Sequence, residues 1–180
     1  MGNRLNPSTA SSTGFTFVEL IISLTIATAL SAMILSAATR STQRSRILRA
    51  QAELGAIAGA LESYRRTFGD YPQTARGDVL VQSLIGRLGP LGAAVEARSF
   101  LDVGALAMMG DRDPEVDSTA ECRDPWDRAY IYAYKSETPW TQAAFVLYSK
   151  GPDGTHVALL TGGRVDEVSA ENLDNVYLNP

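Results

Sequence analysis

Cysteine and histidine are almost missing from the 180-residue chain, which holds one of each, Cys122 and His156. A single cysteine excludes an internal disulfide and a cysteine-based zinc site. A single histidine removes histidine-rich metal centres. Ser149 lies near His156 in sequence, but no glycine elbow surrounds a serine and His156 sits in an apparent strand, so packing or surface accounts for it better than catalysis. Basic charge is scarce beyond Thr67, where nine Lys and Arg face seventeen Asp and Glu. That balance makes the distal region a poor nucleic-acid binder. From Phe15 to Thr39 there is no proline, and no charge other than Glu19.

What is present divides the chain. Hydrophobic residues make up 45% and charged residues 20%, which fits one folded domain with an appendage. The polar stretch Met1–Gly14 precedes the apolar run Phe15–Thr39. As a helix that run spans about 37 Å, enough for a hydrocarbon core of about 30 Å with some tilt. It is longer than the 7–15 apolar residues typical of a secretory signal. Asn6 stands where a myristoylation signal wants Ser or Thr.

A charged acid at the centre of a membrane helix costs about 2.5–3.5 kcal/mol, and less near the end, where Glu19 lies. Glu19 is either an acid tolerated near the headgroups or a partner for a cation. Cutting the chain after Gly14 would create an amine at Phe15, one helical turn from Glu19. That amine could pair within one chain or across staggered chains, where a buried polar pair sets register.

Ile47, Leu54, Ile57, Leu61, Tyr64 and Phe68 form one apolar stripe at helical spacing, followed by the stop signals Gly69 and Pro72. Six arginines between Arg40 and Arg66 share this segment with Glu53 and Glu62. "DVLVQSLIGRL" has helical spacing, and "FLDVGALAMM" suits a short helix or a strand. The acids of "GDRDPEVDSTAECRD" suit a solvated loop. "RAYIYAY" places tyrosine at every second position, "AAFVLYS" follows as a second strand, and "HVALL" and "NVYL" are third and fourth candidates. "DPWD" and "KGPDG" are turn signals. Trp126 and Trp140 suit core or strand-end anchors. The expectation is an α+β fold, one long helix laid across a small antiparallel sheet.

"GFTFVEL" with about twenty apolar residues behind it resembles the class III signal of type IV pilins and type II secretion pseudopilins. "YPQT", "DPW" and "YSKGPDG" occur in the order of the major pseudopilin. The resemblance implies a pilin-like fold with a leader at 1–14, a membrane and assembly helix at 15–39, its amphipathic continuation at 40–68 and a globular domain at 69–180. It implies a peptidase cut between Gly14 and Phe15, N-methylation of Phe15, and assembly through Glu19. It implies a structural subunit of a secretion pseudopilus and no enzyme. The implied partners are its own copies, other pseudopilins, the prepilin peptidase, an inner-membrane assembly platform and, before assembly, membrane lipid, with no nucleic acid.

The implied location is the bacterial inner membrane, single-pass, with the domain in the periplasm. The positive-inside rule alone would place the four arginines after the run in the cytoplasm. The resemblance further implies calcium held by Asp153, Asp166 and Glu167, with Asp174 and Asn175 in reserve; the family pair is two aspartates closer to the first. A type IV pilin for adhesion, motility or DNA uptake is the alternative, although Cys122 alone cannot form the C-terminal disulfide loop common in exposed fibres. A signal-anchored periplasmic enzyme or binding domain is the third reading.

Overall fold

The computed structural model describes residues 14–166 and 168–178; within the long helix, the side chains of residue 32 and residues 34–39 lie outside that description. The expected leader therefore falls outside the described residues except for Gly14. The chain divides into two compact units, Met1–Thr42 and Gln43–Pro180, with the division inside the first helix, α1 (Phe17–Phe68).

In the first unit, Thr16 starts the helix. Its hydroxyl accepts the Glu19 N–H at 3.2 Å and its carbonyl accepts Leu20 N–H at 3.1 Å. The apolar residues here are exposed, among them Phe15, Phe17, Leu24 and Met33. Four hydroxyls in this run turn back onto the helix: Ser23 donates to the Glu19 carbonyl, Thr25 to Ile22, Thr28 to Thr25 and Ser31 to Ala27, at 2.7–2.9 Å. Such local bonds satisfy a polar side chain without any outside partner. Among the described residues, no helix is long and apolar enough to cross a membrane.

The second unit is built on the remainder of α1. The expected stripe is its core: Leu54, Ile57, Leu61 and Tyr64 are fully buried, while Ile47 and Phe68 pack at the margins. Gly69 ends the helix at φ +85°, its N–H reaching the Arg65 carbonyl at 2.7 Å, a left-handed cap that glycine accepts without strain. A short helix α2 (Gly77–Leu84) follows, ending earlier than "DVLVQSLIGRL" suggests. Beyond it, Gly86 leaves no room for a side chain, because a Cβ there would stand 2.4 Å from the Ala97 carbonyl oxygen. "FLDVGALAMM" becomes a 3-10 turn at Val103–Ala105, and Met108 pairs with Cys122 in an isolated bridge.

The sheet has three antiparallel strands in the order β1 (Ile131–Ala133), β2 (Val146–Ser149), β3 (Val176–Tyr177), with Tyr148 opposite both Ile131 and Tyr177. "NVYL" therefore supplies the third strand, and "HVALL" is not a strand. The Val157 N–H goes to the Asn172 side chain, and Leu160 closes a tight turn with Arg164 through Gly162 and Gly163. Two of its backbone donors are thereby turned to partners outside the sheet.

The three alternating tyrosines are all buried and share one face of the sheet. Tyr130 donates to Glu53 of α1 at 2.6 Å, Tyr132 to the Pro72 carbonyl at 2.8 Å and Tyr134 to Asp70 at 2.8 Å. These bonds fix the sheet to the helix and to the segment just after it.

Candidate functional site

Two sets of residues carry the sequence expectations. The first is the start of α1. Gly14 and Phe15 are exposed, and nothing lies within 4 Å of where a Gly14 side chain would begin. Thr16 and Glu19 stand in the Ser/Thr-x-x-Glu spacing of a capping box, and the Thr16 half of that box is formed. Glu19 thus sits in the first turn, where the helix dipole favours an anion. Its carboxylate is exposed and has no ionic partner among the described residues. The local role of the acid was readable in "TFVE" and sequence reasoning missed it.

The second set surrounds "DPW" and "KGPDG". Asp124 is almost fully buried. Its Oδ1 accepts the N–H groups of Trp126 and Arg128, each at 2.9 Å, and its Oδ2 accepts the Ser149 hydroxyl at 2.5 Å. Ser149 in turn accepts the Gly151 N–H at 3.1 Å. Arg128 donates to the Gly151 carbonyl at 2.7 Å, its guanidinium lying over the "GPDG" turn. The two motif strings are thus one hydrogen-bonded unit. In the sequence Ser149 is weighed beside His156 and Asp124 reads within a turn signal, but their pairing is missed, because the two are 25 residues apart and nothing in spacing announces it.

Of the expected calcium ligands, Asp153 belongs to this unit. Its carboxyl accepts the Thr155 N–H at 2.7 Å and the Thr155 hydroxyl at 2.8 Å, which hold it below the usual carboxylate range. Its N–H donates to Asp174 Oδ2 at 3.0 Å. Asp166 instead accepts the N–H groups of Val168 and Ser169 in its own turn. Glu167 lies outside the described residues. Among the described residues no group of three or more His, Cys, Asp or Glu side chains is placed to hold a metal. The reserve pair is different: Asp174 Oδ1 and Asn175 Oδ1 are buried and receive no hydrogen bond. An oxygen left in that state costs free energy, and a hard cation is one group that would relieve it.

The Tyr148 hydroxyl meets His156 Nδ1 at 2.8 Å, and burial, with Lys150 nearby, pushes the His156 pKa down. Cys122 is free and buried, and burial pushes its thiol up to about 12. Both behave as packing groups.

A long helix carrying a small antiparallel sheet against its second half is an architecture consistent with a pilin-like fold. No family model matches the chain. Over 163 residues the chain is 26% identical to the type II secretion system core protein G of Pseudomonas aeruginosa, covering 90% of this chain and 95% of that protein. This supports a pseudopilin-like relationship along nearly the whole length.

Proposed function

We propose that the chain is a structural subunit of a type II secretion pseudopilus. The observation that carries this is the match to the core protein G of such a system over 90% of the chain, joined to a helix whose first part is apolar and exposed. In this reading the polar leader is cut between Gly14 and Phe15, and Phe15 is N-methylated. The apolar run 15–39 waits in the inner membrane, with the domain in the periplasm. Subunits then move from lipid into a filament, where their apolar helices pack together.

Apolar helix against apolar helix gains little over lipid. Register therefore falls to Glu19 of one copy, which neutralises the Phe15 amine of the next, and an assembly platform supplies the energy. A heterologous contact of this kind does not close on itself, so the polymer is open-ended. The role is mechanical and involves no substrate turnover.

Calcium belongs to the same reading. Asp153, Asp166 and Glu167 are its proposed ligands, and the partnerless oxygens of Asp174 and Asn175 support a cation in this part of the chain. Bound calcium would supply a crosslink for a C-terminal loop poor in apolar contacts.

Mass spectrometry of the protein from its native host tests the core of the reading. The expected N-terminus is methylated phenylalanine at Phe15, and an intact Met1 rejects the class. Glu19→Ala is expected to abolish polymer while leaving the cut intact; undiminished polymer yield would remove the Glu19 role.

A further inference from the structure

The second unit carries two surface patches that answer each other and do not meet within the chain. One is on α1. Leu48 is the only large hydrophobic residue of the Gln43–Phe68 part of the helix that is strongly exposed among the described residues, at 57%. Arg44 lies one turn before it on the same face, also exposed. Arg49 pairs with Glu53, but Arg44 and Arg46 have no ionic partner among the described residues. The helix face around Leu48 is unpacked: a Cβ added at Gly55 or Gly59 would meet nothing within 4 Å.

The other patch is the 111–117 loop, with four acids and one arginine. Val116 is 84% exposed at its apex, beside exposed Glu115. The loop is held in place from below. Pro114 is fully buried, and its carbonyl accepts from the Gln82 side chain of α2 at 2.9 Å. Val116 and Asp117 donate to the Asp113 carbonyl at 3.0 and 2.7 Å. A rigid support that lifts an aliphatic side chain into water loses little entropy when that side chain is covered.

We propose that the α1 face bearing Arg44 and Leu48 docks on the 111–117 loop of a second copy, with Arg44 meeting Glu115 and Leu48 packing on Val116. The proposal rests on the filament reading above and gives it a contact between globular domains. Charge identifies the occupant: Arg44 has no internal acid to answer it, and on the loop of the same chain Asp111 and Asp117 are paired with Arg123 and Arg112 while Glu115 has no ion pair among the described residues. Because each copy offers both halves at separate places, the contact propagates unless a twofold axis closes it.

The test uses the full chain in its native host membranes. Leu48→Cys and Val116→Cys together, oxidised with copper phenanthroline, are expected to give a ladder of dimers, trimers and longer species, and each single variant none. Cys122 stays silent because it is buried. Arg44→Glu and Glu115→Arg are each expected to lower polymer yield about two- to fivefold, the scale of an exposed ion pair, and to restore it when combined. The swap leaves both aliphatics in place, so it reads the contact even where a cysteine variant folds poorly. Normal polymer without the 48–116 ladder, a dimer from either single cysteine, or a swap without rescue overturns the docking and leaves the filament reading standing. A wild-type chain that forms no polymer overturns both.

Discussion

Asp124→Ala should destabilise the domain more than any other exchange of a polar residue in the 123–154 region. The carboxylate is almost fully buried and receives three hydrogen bonds, two from backbone N–H groups and one from Ser149. Alanine leaves all three donors without an acceptor. A buried donor without a partner costs about 1–3 kcal/mol, and the two backbone donors sit in a turn where some rehydration is open to them, so the sum is about 3–5 kcal/mol. For a domain of this size that lowers the melting temperature by about 10–20 °C. Asp124→Asn separates the bond from the charge. Its Oδ1 keeps both backbone donors and its amide donates to Ser149 Oγ, so it should lose about 1 kcal/mol, or a few degrees. Thermal melts of the full chain in detergent, followed by near-ultraviolet circular dichroism, read both. If the alanine variant melts within 2 °C of the parent, about the shift of an exposed substitution, Asp124 does not hold the two motif strings together and the reasoning fails.

Three more outcomes follow from the same geometry. Burial works against ionised Asp70, but hydrogen bonds from Lys135, Tyr134, Gln73 and the Tyr71 N–H outweigh it and hold the carboxyl below its ordinary 3.8. A depressed carboxyl stabilises the fold above its unfolded value and loses that contribution as pH falls; melts between pH 6 and pH 3 should fall more steeply for the parent than for Asp70→Asn. Gly151→Ala should cost more than Gly154→Ala in the same melts. Both glycines have positive φ, but the new Cβ at 151 meets the Asp174 backbone oxygen at 2.0 Å, whereas at 154 it meets the movable guanidinium of Arg128. For calcium, EGTA should lower the melting temperature of the full chain and added calcium restore it; equal melts with and without chelator remove the metal.

Much of the domain can be read in the sequence because burial and period coincide. The stripe from Ile47 to Phe68 is legible since every fourth or third residue must face the same side of a helix, and Tyr130, Tyr132 and Tyr134 because a strand alternates its faces. "HVALL" misleads: five apolar-rich residues read as a strand, but Asn172, fifteen residues on, takes the Val157 N–H. The region 85–121 is opaque because its order comes from irregular turn and loop bonds, such as the Val95 N–H to the Arg87 carbonyl, and from isolated long-range ones, such as Gln82 to the Pro114 carbonyl, none of which leaves a periodic trace. At the helix start, Thr16 and Glu19 carry a capping spacing that is legible in the sequence, and its Thr16 half is formed. Asp174 and Asn175 are legible as reserve ligands, but that their oxygens lack donors emerges only from the fold, since an acceptor without a donor is a property of three-dimensional surroundings.

The inward-turned hydroxyls of Ser23, Thr25, Thr28 and Ser31 have a consequence for transfer between environments. Each proton is already given to a carbonyl of its own rod, so exchanging one greasy surrounding for another breaks no polar link at these four points. Were such a rod to change apolar neighbours, these four points would oppose the move in neither direction.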